Sequence, residues 1–123
     1  MIQIIPVNNK DKLCCFYKES GIEINENSKA VAAEENGKTT GCCLFDSDKT
    51  SVYIRKVVPT DDIMFADGLL RSALFYASEH GCTEAYYTNE APEELLNKLG
   101  FIENSDNRQL KFLKIFQSCE NCK

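Results

Sequence analysis

The stretch NEAPEELLNKLGF, residues 89–101, has the pattern of a short helix that is capped at its start and stopped by glycine at its end. Asn89 is a residue type preferred at helix N-caps, and Glu93 and Glu94 suit the positive end of the helix dipole. An apolar stripe runs along the helix: Leu95, Leu96 and Leu99. Gly100 ends it, and Phe101 is expected to turn back into a hydrophobic core. The stretch therefore predicts a helix that begins at Asn89 and packs on a sheet.

Strand-like and helix-like patterns alternate along the rest of the chain. Apolar, β-branched runs predict strands at residues 2–7, 30–35, 39–45, 51–58, 83–88 and 110–116. Helical spacing predicts one helix between Asn9 and Gly21 and another from about residue 65 to residue 80. Asn36-Gly37 is the strongest short hairpin signal, because both residues tolerate positive φ. The order β-α-β-β-β-α-β-α-β predicts an α/β (α+β) fold in one domain over residues 1–123, with helices on both faces of a mixed, mostly antiparallel sheet.

Charge and composition narrow the possible functions. The formal net charge is -5 and the basic residues are scattered, which argues against a nucleic-acid partner. Apolar runs are too short for a membrane span, and the first ten residues lack the pattern of a signal peptide, so a cytoplasmic protein with reduced thiols is expected. Cys119-x-x-Cys122 has no second CxxC and no histidine beside it, so neither a metal site nor an obligatory disulfide is predicted.

Three stretches together resemble the GCN5-related N-acetyltransferase (GNAT) superfamily: YIRKVVP at 53–59, the helical run at 66–81 and the stretch at 89–101. Many members end their core with Asn-x-x-Ala-x-x-x-Tyr-x-x-x-Gly-Phe. Asn89, Gly100 and Phe101 fall at that spacing, with Pro92 in the place of the alanine and Leu96 in the place of the tyrosine. The resemblance covers residues 30–101 and is weak before them.

The resemblance implies transfer of an acetyl group from acetyl-CoA to a primary amine of a small molecule or peptide. It implies that the strand at 51–58 splays from its neighbour, so that Val57 and Val58 hold the pantetheine arm. Asn89 is then either a contact of that arm or a plain N-cap, and both roles are compatible. The residues implied to meet the pyrophosphate are Ile63, Met64, Phe65, Ala66 and Asp67. The sequence predicts no particular oligomeric state.

The loop before the second helix departs from the superfamily pattern. Members usually show Arg/Gln-x-x-Gly-x-Gly/Ala there, whereas this chain has DDIMFA, residues 61–66, with Asp61 for Arg or Gln and Met64 for glycine. Like charges a few Å apart repel by about 1 to 4 kcal/mol, so carboxylates at Asp61 and Asp62 oppose a pyrophosphate. This chain is therefore expected to bind acetyl-CoA more weakly than members of this superfamily usually do.

Leu96 is the second departure. It stands where members often carry the tyrosine that protonates the departing thiolate, a general-acid role that leucine cannot fill. Tyr87, on the strand before the helix, is the candidate replacement. Two interpretations follow: an N-acetyltransferase, or a GNAT-fold binding or regulatory module that has lost catalysis.

Overall fold

The computed structural model describes residues 2–112. Its elements are β1 (Gln3–Pro6), α1 (Lys10–Ser20), β2 (Ser28–Glu35), β3 (Lys38–Ser47), β4 (Ser51–Val58), α2 (Ile63–Glu79), β5 (Glu84–Tyr87), α3 (Glu93–Lys98), β6 (Ile102–Asn104) and β7 (Gln109–Leu110). The predicted order holds as far as α3. Two short strands, β6 and β7, then take the place of the single strand predicted at residues 110–116. Residues 113–116 of that prediction lie outside the described residues, as do Cys119 and Cys122.

The strands form one sheet in the order β1-β2-β3-β4-β5-β7-β6. Neighbouring strands are antiparallel except β4 and β5, which are parallel. The hairpin between β2 and β3 turns at Asn36 and Gly37, with φ of 54° and 80°, as the Asn-Gly pair predicts. The predicted mixed, mostly antiparallel sheet is confirmed.

Helices cover both faces of the sheet, as predicted. One face packs against α2 and α3, with Leu70 and Leu96 fully buried among strand residues such as Ile54. The other face packs against α1, where Tyr17 is buried against Leu44. The Tyr17 hydroxyl donates to the backbone oxygens of residues 29 and 45, at 2.8 and 3.1 Å, which ties α1 to the sheet. The two hydrophobic clusters therefore lie on opposite sides of β2 and β3, whose successive residues alternate between them.

The helix starts correct two details of the sequence analysis. α1 begins after Asn9, whose side chain accepts from the amides of residues 11 and 12, as predicted. α2 begins at Ile63, two residues earlier than predicted. α3 begins after Pro92, so the prediction that Asn89 caps it is wrong. A proline disfavours helical backbone at the residue before it, and this preference outweighs the capping preference of Asn89.

The described residues also bear on disulfides, metal sites and membrane spans. The five cysteines within it have free thiols, with Cys14 and Cys15 exposed and Cys42, Cys43 and Cys82 buried. Between residues 2 and 112, no three His, Cys, Asp or Glu side chains are grouped as metal ligands. Over the same range, no helix has both the length and the apolar character needed to cross a membrane.

Candidate functional site

The two parallel strands at the centre of the sheet separate partway along β4. They pair from Ser51 with Glu84 to Ile54 with Tyr87, and the Thr88 amide donates to the Ile54 oxygen at 2.9 Å. β4 then continues to Val58, and its last residues pair only with β3. Within residues 2–112, no strand pairs with the other side of this end of β4. The predicted divergence of the two strands is therefore present, and it leaves a backbone edge open to a ligand.

A cleft of about 360 Å³ lies between the loop that follows β4 and helix α3, and we call it the loop–helix cleft. It is lined by Thr60, Asp61, Ile63, Pro92, Glu94, Leu95 and Lys98. Its charged side chains are therefore two carboxylates and one ammonium group. The cleft begins at Thr60, two residues beyond the end of β4 at Val58, and the residues that line it belong to the following loop, to α2 and to the start and body of α3.

The start of α2 is capped by a carboxylate of the chain itself. Asp62 Oδ1 accepts from the Phe65 amide at 3.1 Å, and the Asp62 carbonyl accepts from the Ala66 amide at 2.9 Å. Two of the amides that the sequence assigned to a pyrophosphate therefore already have partners. Met64 lies inside the helix and outside the positive-φ region, so the left-handed backbone for which a glycine would be needed does not occur there.

The other sequence-predicted residues are dispersed around the cleft. Ile63 lines it, whereas Met64 is 85% exposed and Asp67 pairs with Arg71 at 3.0 Å. Val57 is buried in the core and Val58 is 40% exposed at the strand end. Asn89 lies exposed in the turn between β5 and α3. The structure thus brings only part of the predicted set together.

Tyr87 is the last residue of β5 and marks the point where the strands part. Its side chain is buried on the α3 side, and its hydroxyl donates to Glu93 Oε2 at 2.6 Å. Burial and this hydrogen bond to a carboxylate both raise the pKa of the Tyr87 hydroxyl. Leu96 is fully buried in the same cluster. The Tyr87 hydroxyl therefore has a fixed position, and its proton is already donated to Glu93.

A second cavity, of about 470 Å³, borders the same strand end from the opposite face of the sheet. This α1-face cavity is lined by Phe16, Glu19, Ser20, Thr39, Thr40, Gly41, Cys42, Lys56 and Val58. Lys56 Nζ donates to the Ser20 oxygen at 2.9 Å, which holds the end of α1 against β4. No motif in the sequence predicts this cavity. Its only signal was the polar segment after Gly21, which forms no second helix over the sheet.

Arg55 is a buried cation that the sequence analysis also missed. Its Nε donates to Glu90 at 3.1 Å, and its Nη1 donates to the backbone oxygen of Glu23 at 2.6 Å and to Asp46 at 3.4 Å. Burial alone lowers the pKa of a guanidinium group, but the hydrogen bond to Glu90 and the nearby carboxylates outweigh it, so the pKa of Arg55 is raised. Arg55 thus ties β4 to the turn after β5, beside the place where the strands separate.

No protein-family model and no curated protein sequence matches the chain. Solved structures do match it. A structure from Exiguobacterium sp. 255-15, assigned as an acetyltransferase, matches with a TM-score of 0.61 and 14% identity over 97% of this chain and 98% of that one. A GNAT family acetyltransferase from Elizabethkingia anophelis, solved with acetyl-CoA bound, matches with a TM-score of 0.55 and 13% identity, covering 82% of this chain and 74% of that one.

This chain has the GNAT fold. A tandem GNAT protein from the clavulanic acid biosynthesis pathway also matches, with a TM-score of 0.56 and 10% identity over 81% of this chain. The chain spans 43% of that protein's length. Identities this low fit a divergent form of the GNAT fold. They are also consistent with the carboxylate cap on α2 and the buried Leu96, two sites where the chain departs from the usual pattern.

Proposed function

We propose that this protein transfers an acetyl group from an acetyl thioester, acetyl-CoA in the first instance, to a primary amine of a small molecule or peptide. The observation that carries the proposal is the edge of β4 beyond Ile54, which β5 no longer covers, together with the loop–helix cleft that begins two residues after the strand ends. A pantetheine arm has amide groups that suit an unpaired strand edge, because they can take the places of a neighbouring strand. The residues at 57 and 58 fit such an arm, because side chains of a strand point to the two faces of the sheet and not along its edge.

The two cavities supply separate approaches for the two substrates. The loop–helix cleft lies on the α2 and α3 side, and the α1-face cavity reaches Val58 from the other side. The donor would enter through the first and the amine through the second. The amine nitrogen attacks the thioester carbonyl carbon, a C–N bond forms, the C–S bond breaks, and the sulfur leaves as thiolate. A substrate that binds as an ammonium ion first loses one proton to solvent, because only the neutral amine has an electron pair for the attack. The nitrogen loses a second proton to solvent as the amide forms, and solvent protonates the departing thiolate.

Glu19 gives the amine side its chemical character. Among the described residues that line the α1-face cavity, Glu19 is the one carboxylate and Lys56 the one cation. The Lys56 ammonium group already donates to the Ser20 oxygen at 2.9 Å, whereas no partner holds the Glu19 carboxylate in the hydrogen bonds of these residues, and Phe16 and Val58 supply apolar surface beside it. A carboxylate attracts an ammonium ion, and an apolar wall suits the carbon skeleton that carries it. A cavity of about 470 Å³ is large enough for a small molecule or for the end of a peptide.

Tyr87 is a weak candidate for the general acid of this reaction. Its hydroxyl is held by Glu93, and its raised pKa makes it a poorer donor to a thiolate. Departure of the thiolate without a dedicated acid fits the site better. The rate would then rest on positioning of the amine and on polarisation of the carbonyl by backbone amides.

The proposal is tested by titrating the protein with acetyl-CoA in a calorimeter and then measuring thiol release with a panel of primary amines. Ile63 lines the cleft and is 42% exposed, so Ile63→Trp should fill the cleft without disturbing the core. We expect this change to weaken binding at least tenfold. Met64→Trp is the matched control, because Met64 is 85% exposed and does not line the cleft. Equal effects of the two changes would contradict the placement of the donor.

A binding or regulatory module that has lost catalysis is the second candidate. The carboxylate cap on α2 and the buried Leu96 both favour it, since each removes a feature that a catalytic site of this fold commonly uses. Thioester binding without thiol release for any amine of the panel would support this second function.

We also propose a cytoplasmic location, where reduced thiols such as those of the described residues are the normal state.

A further inference from the structure

The loop–helix cleft is poorly suited to a diphosphate. Asp61 lines it, and the neighbouring Asp62 carboxylate already caps the start of α2. In a helix that binds a phosphate at its N-terminus, the first amides point at the ligand and the helix dipole favours its negative charge. In this chain the Phe65 amide donates to a carboxylate instead. An incoming diphosphate would have to displace Asp62 and would still face Asp61.

The opposite wall of the cleft does not compensate for these two charges. It carries Glu94 in the first turn of α3 and Lys98 one turn later. Between residues 2 and 112, Lys98 is the single basic side chain that lines the cleft, and Glu94 lies four residues before it on the same helix, so the two charges offset each other. The net charge of the lining side chains is therefore negative, as is that of the whole chain. The cleft attracts no highly charged anion.

The open edge of β4 presents backbone groups, which carry no net charge, so it does not repel a ligand as the carboxylates of the cleft do. Recognition there depends on backbone hydrogen bonds and on apolar side chains such as Leu95 and Ile63, which suit an uncharged pantetheine arm. We propose that the site recognises the acyl-pantetheine part of its donor and gains nothing from the nucleoside diphosphate. The preferred donor class is then an uncharged acyl thioester of pantetheine. This inference rests on the proposed acyl transfer and narrows its donor.

The chemistry of the step is unchanged by this choice. The thioester carbonyl carbon passes to the amine nitrogen, the C–S bond breaks, and pantetheine leaves as its thiolate in place of coenzyme A. What differs is the binding step, where an acetyl-CoA molecule brings a diphosphate and a further phosphate close to Asp61 and Asp62. Repulsion between exposed charges weakens as salt rises. Acetyl-CoA binding should therefore improve with salt, and binding of the uncharged thioester should not.

The experiment compares the dissociation constants of acetyl-CoA and S-acetylpantetheine by calorimetry at low and high salt. For the parent protein we expect acetyl-CoA to bind no more than about threefold tighter than S-acetylpantetheine. The double variant Asp61→Asn, Asp62→Asn removes both charges while keeping a good N-cap, because asparagine caps a helix as well as aspartate. In this variant acetyl-CoA should gain at least tenfold in affinity, and S-acetylpantetheine should change by less than twofold.

The matched control is Glu26→Gln, Asp106→Asn, which removes the same charge from two exposed turns away from the cleft. It should leave both dissociation constants within twofold of the parent. A parent that prefers acetyl-CoA by more than tenfold, or an equal gain from the control variant, would overturn the inference while leaving the proposed acyl transfer standing. If neither thioester bound to the parent, both the inference and the proposed function would be wrong.

Discussion

Gly41 shows how one residue shapes the site. A Cβ atom at this position would lie 2.7 Å from the Val58 carbonyl oxygen and 3.0 Å from both the Phe65 ring and Pro59 Cδ. The nearest atom belongs to the backbone, which cannot turn aside as a long side chain can. Glycine therefore lets β3 approach the end of β4 closely, at the wall of the α1-face cavity. The end of β4 can take its observed position because residue 41 has no side chain.

Gly41→Ala should consequently destabilise the protein by about 1 to 3 kcal/mol, the usual cost of overpacking. Gly68→Ala is the matched control, because its Cβ would lie 3.6 Å from Ile4 Cδ1, an ordinary contact, inside helix α2. Replacing a helical glycine by alanine should stabilise by about 0.5 to 1 kcal/mol. Chemical denaturation of both variants checks the opposite signs. A shared sign would show that the strand end can move away at little cost.

Among the elements, α3 shows most clearly what the sequence can predict and what it cannot. The leucine stripe, the stop at Gly100 and the buried Phe101 all follow from local patterns, and the structure confirms them. The start of the helix does not follow from the local pattern. An asparagine caps a helix only when the residue directly after it already has helical backbone angles. The turn closed by the Ala91 amide and the Thr88 oxygen, followed by Pro92, delays that point.

The features of the candidate site also divide into those that the sequence predicts and those that it does not. The divergence of β4 from β5 could be predicted, because the resemblance that implies it is carried by a motif within one strand, Val57-Val58-Pro59. The cap on α2 does not follow from the glycine-rich loop pattern, which bears on Met64, whereas the capping depends on the Asp62 carboxylate and on where the helix begins. Arg55 could not be placed from sequence, because its partners Glu23 and Glu90 lie 32 and 35 residues away along the chain.

Phe101 provides the stability test for α3. It is 2% exposed, follows the left-handed Gly100 and lies 5.4 Å beneath the Arg71 guanidinium group. Phe101→Ala should lower the free energy of unfolding by about 3 to 5 kcal/mol, because it leaves a large cavity where α3 meets the sheet. Met64→Ala, at an 85% exposed position, should change it by less than about 0.5 kcal/mol. A loss below about 1 kcal/mol for Phe101→Ala would mean that α3 is anchored elsewhere.

At the scale of the whole molecule, the two sides of the sheet share β4 but differ in what they bury. The α2 and α3 side is apolar, whereas the α1 side holds Arg55 and the Cys42 thiol beside a cavity. The polar contacts there join α1, the following loop and the turn after β5 to the same strand end. Amine binding on the α1 side and donor binding on the other side would therefore act on one shared structural element.

The buried thiols should make the stability of the whole fold fall at alkaline pH. Burial, with a smaller contribution from Glu19 and against the charge of Lys56, raises the pKa of Cys42 from 9.0 to about 11. Between these two values the unfolded chain has lost the thiol proton while the folded chain still holds it. The unfolded state then binds fewer protons, so the free energy of unfolding decreases as pH rises. The contribution of Cys42 is complete below pH 9.0 and is lost by about pH 11.

A shift of this size corresponds to about 2 to 3 kcal/mol over the whole interval. Cys43, Cys82 and Tyr17 act in the same direction, because burial raises the pKa of each. We therefore expect Cys42→Ala to make the slope of unfolding free energy against pH shallower without abolishing it. Cys14→Ala is the matched control, since that thiol is exposed on α1 and its removal should leave the slope unchanged. Urea denaturation at half-unit steps from pH 8 to pH 10.5 measures all three proteins. Identical slopes for the parent and Cys42→Ala would show that water in the α1-face cavity hydrates the Cys42 thiol in the folded protein, so that its pKa is not raised.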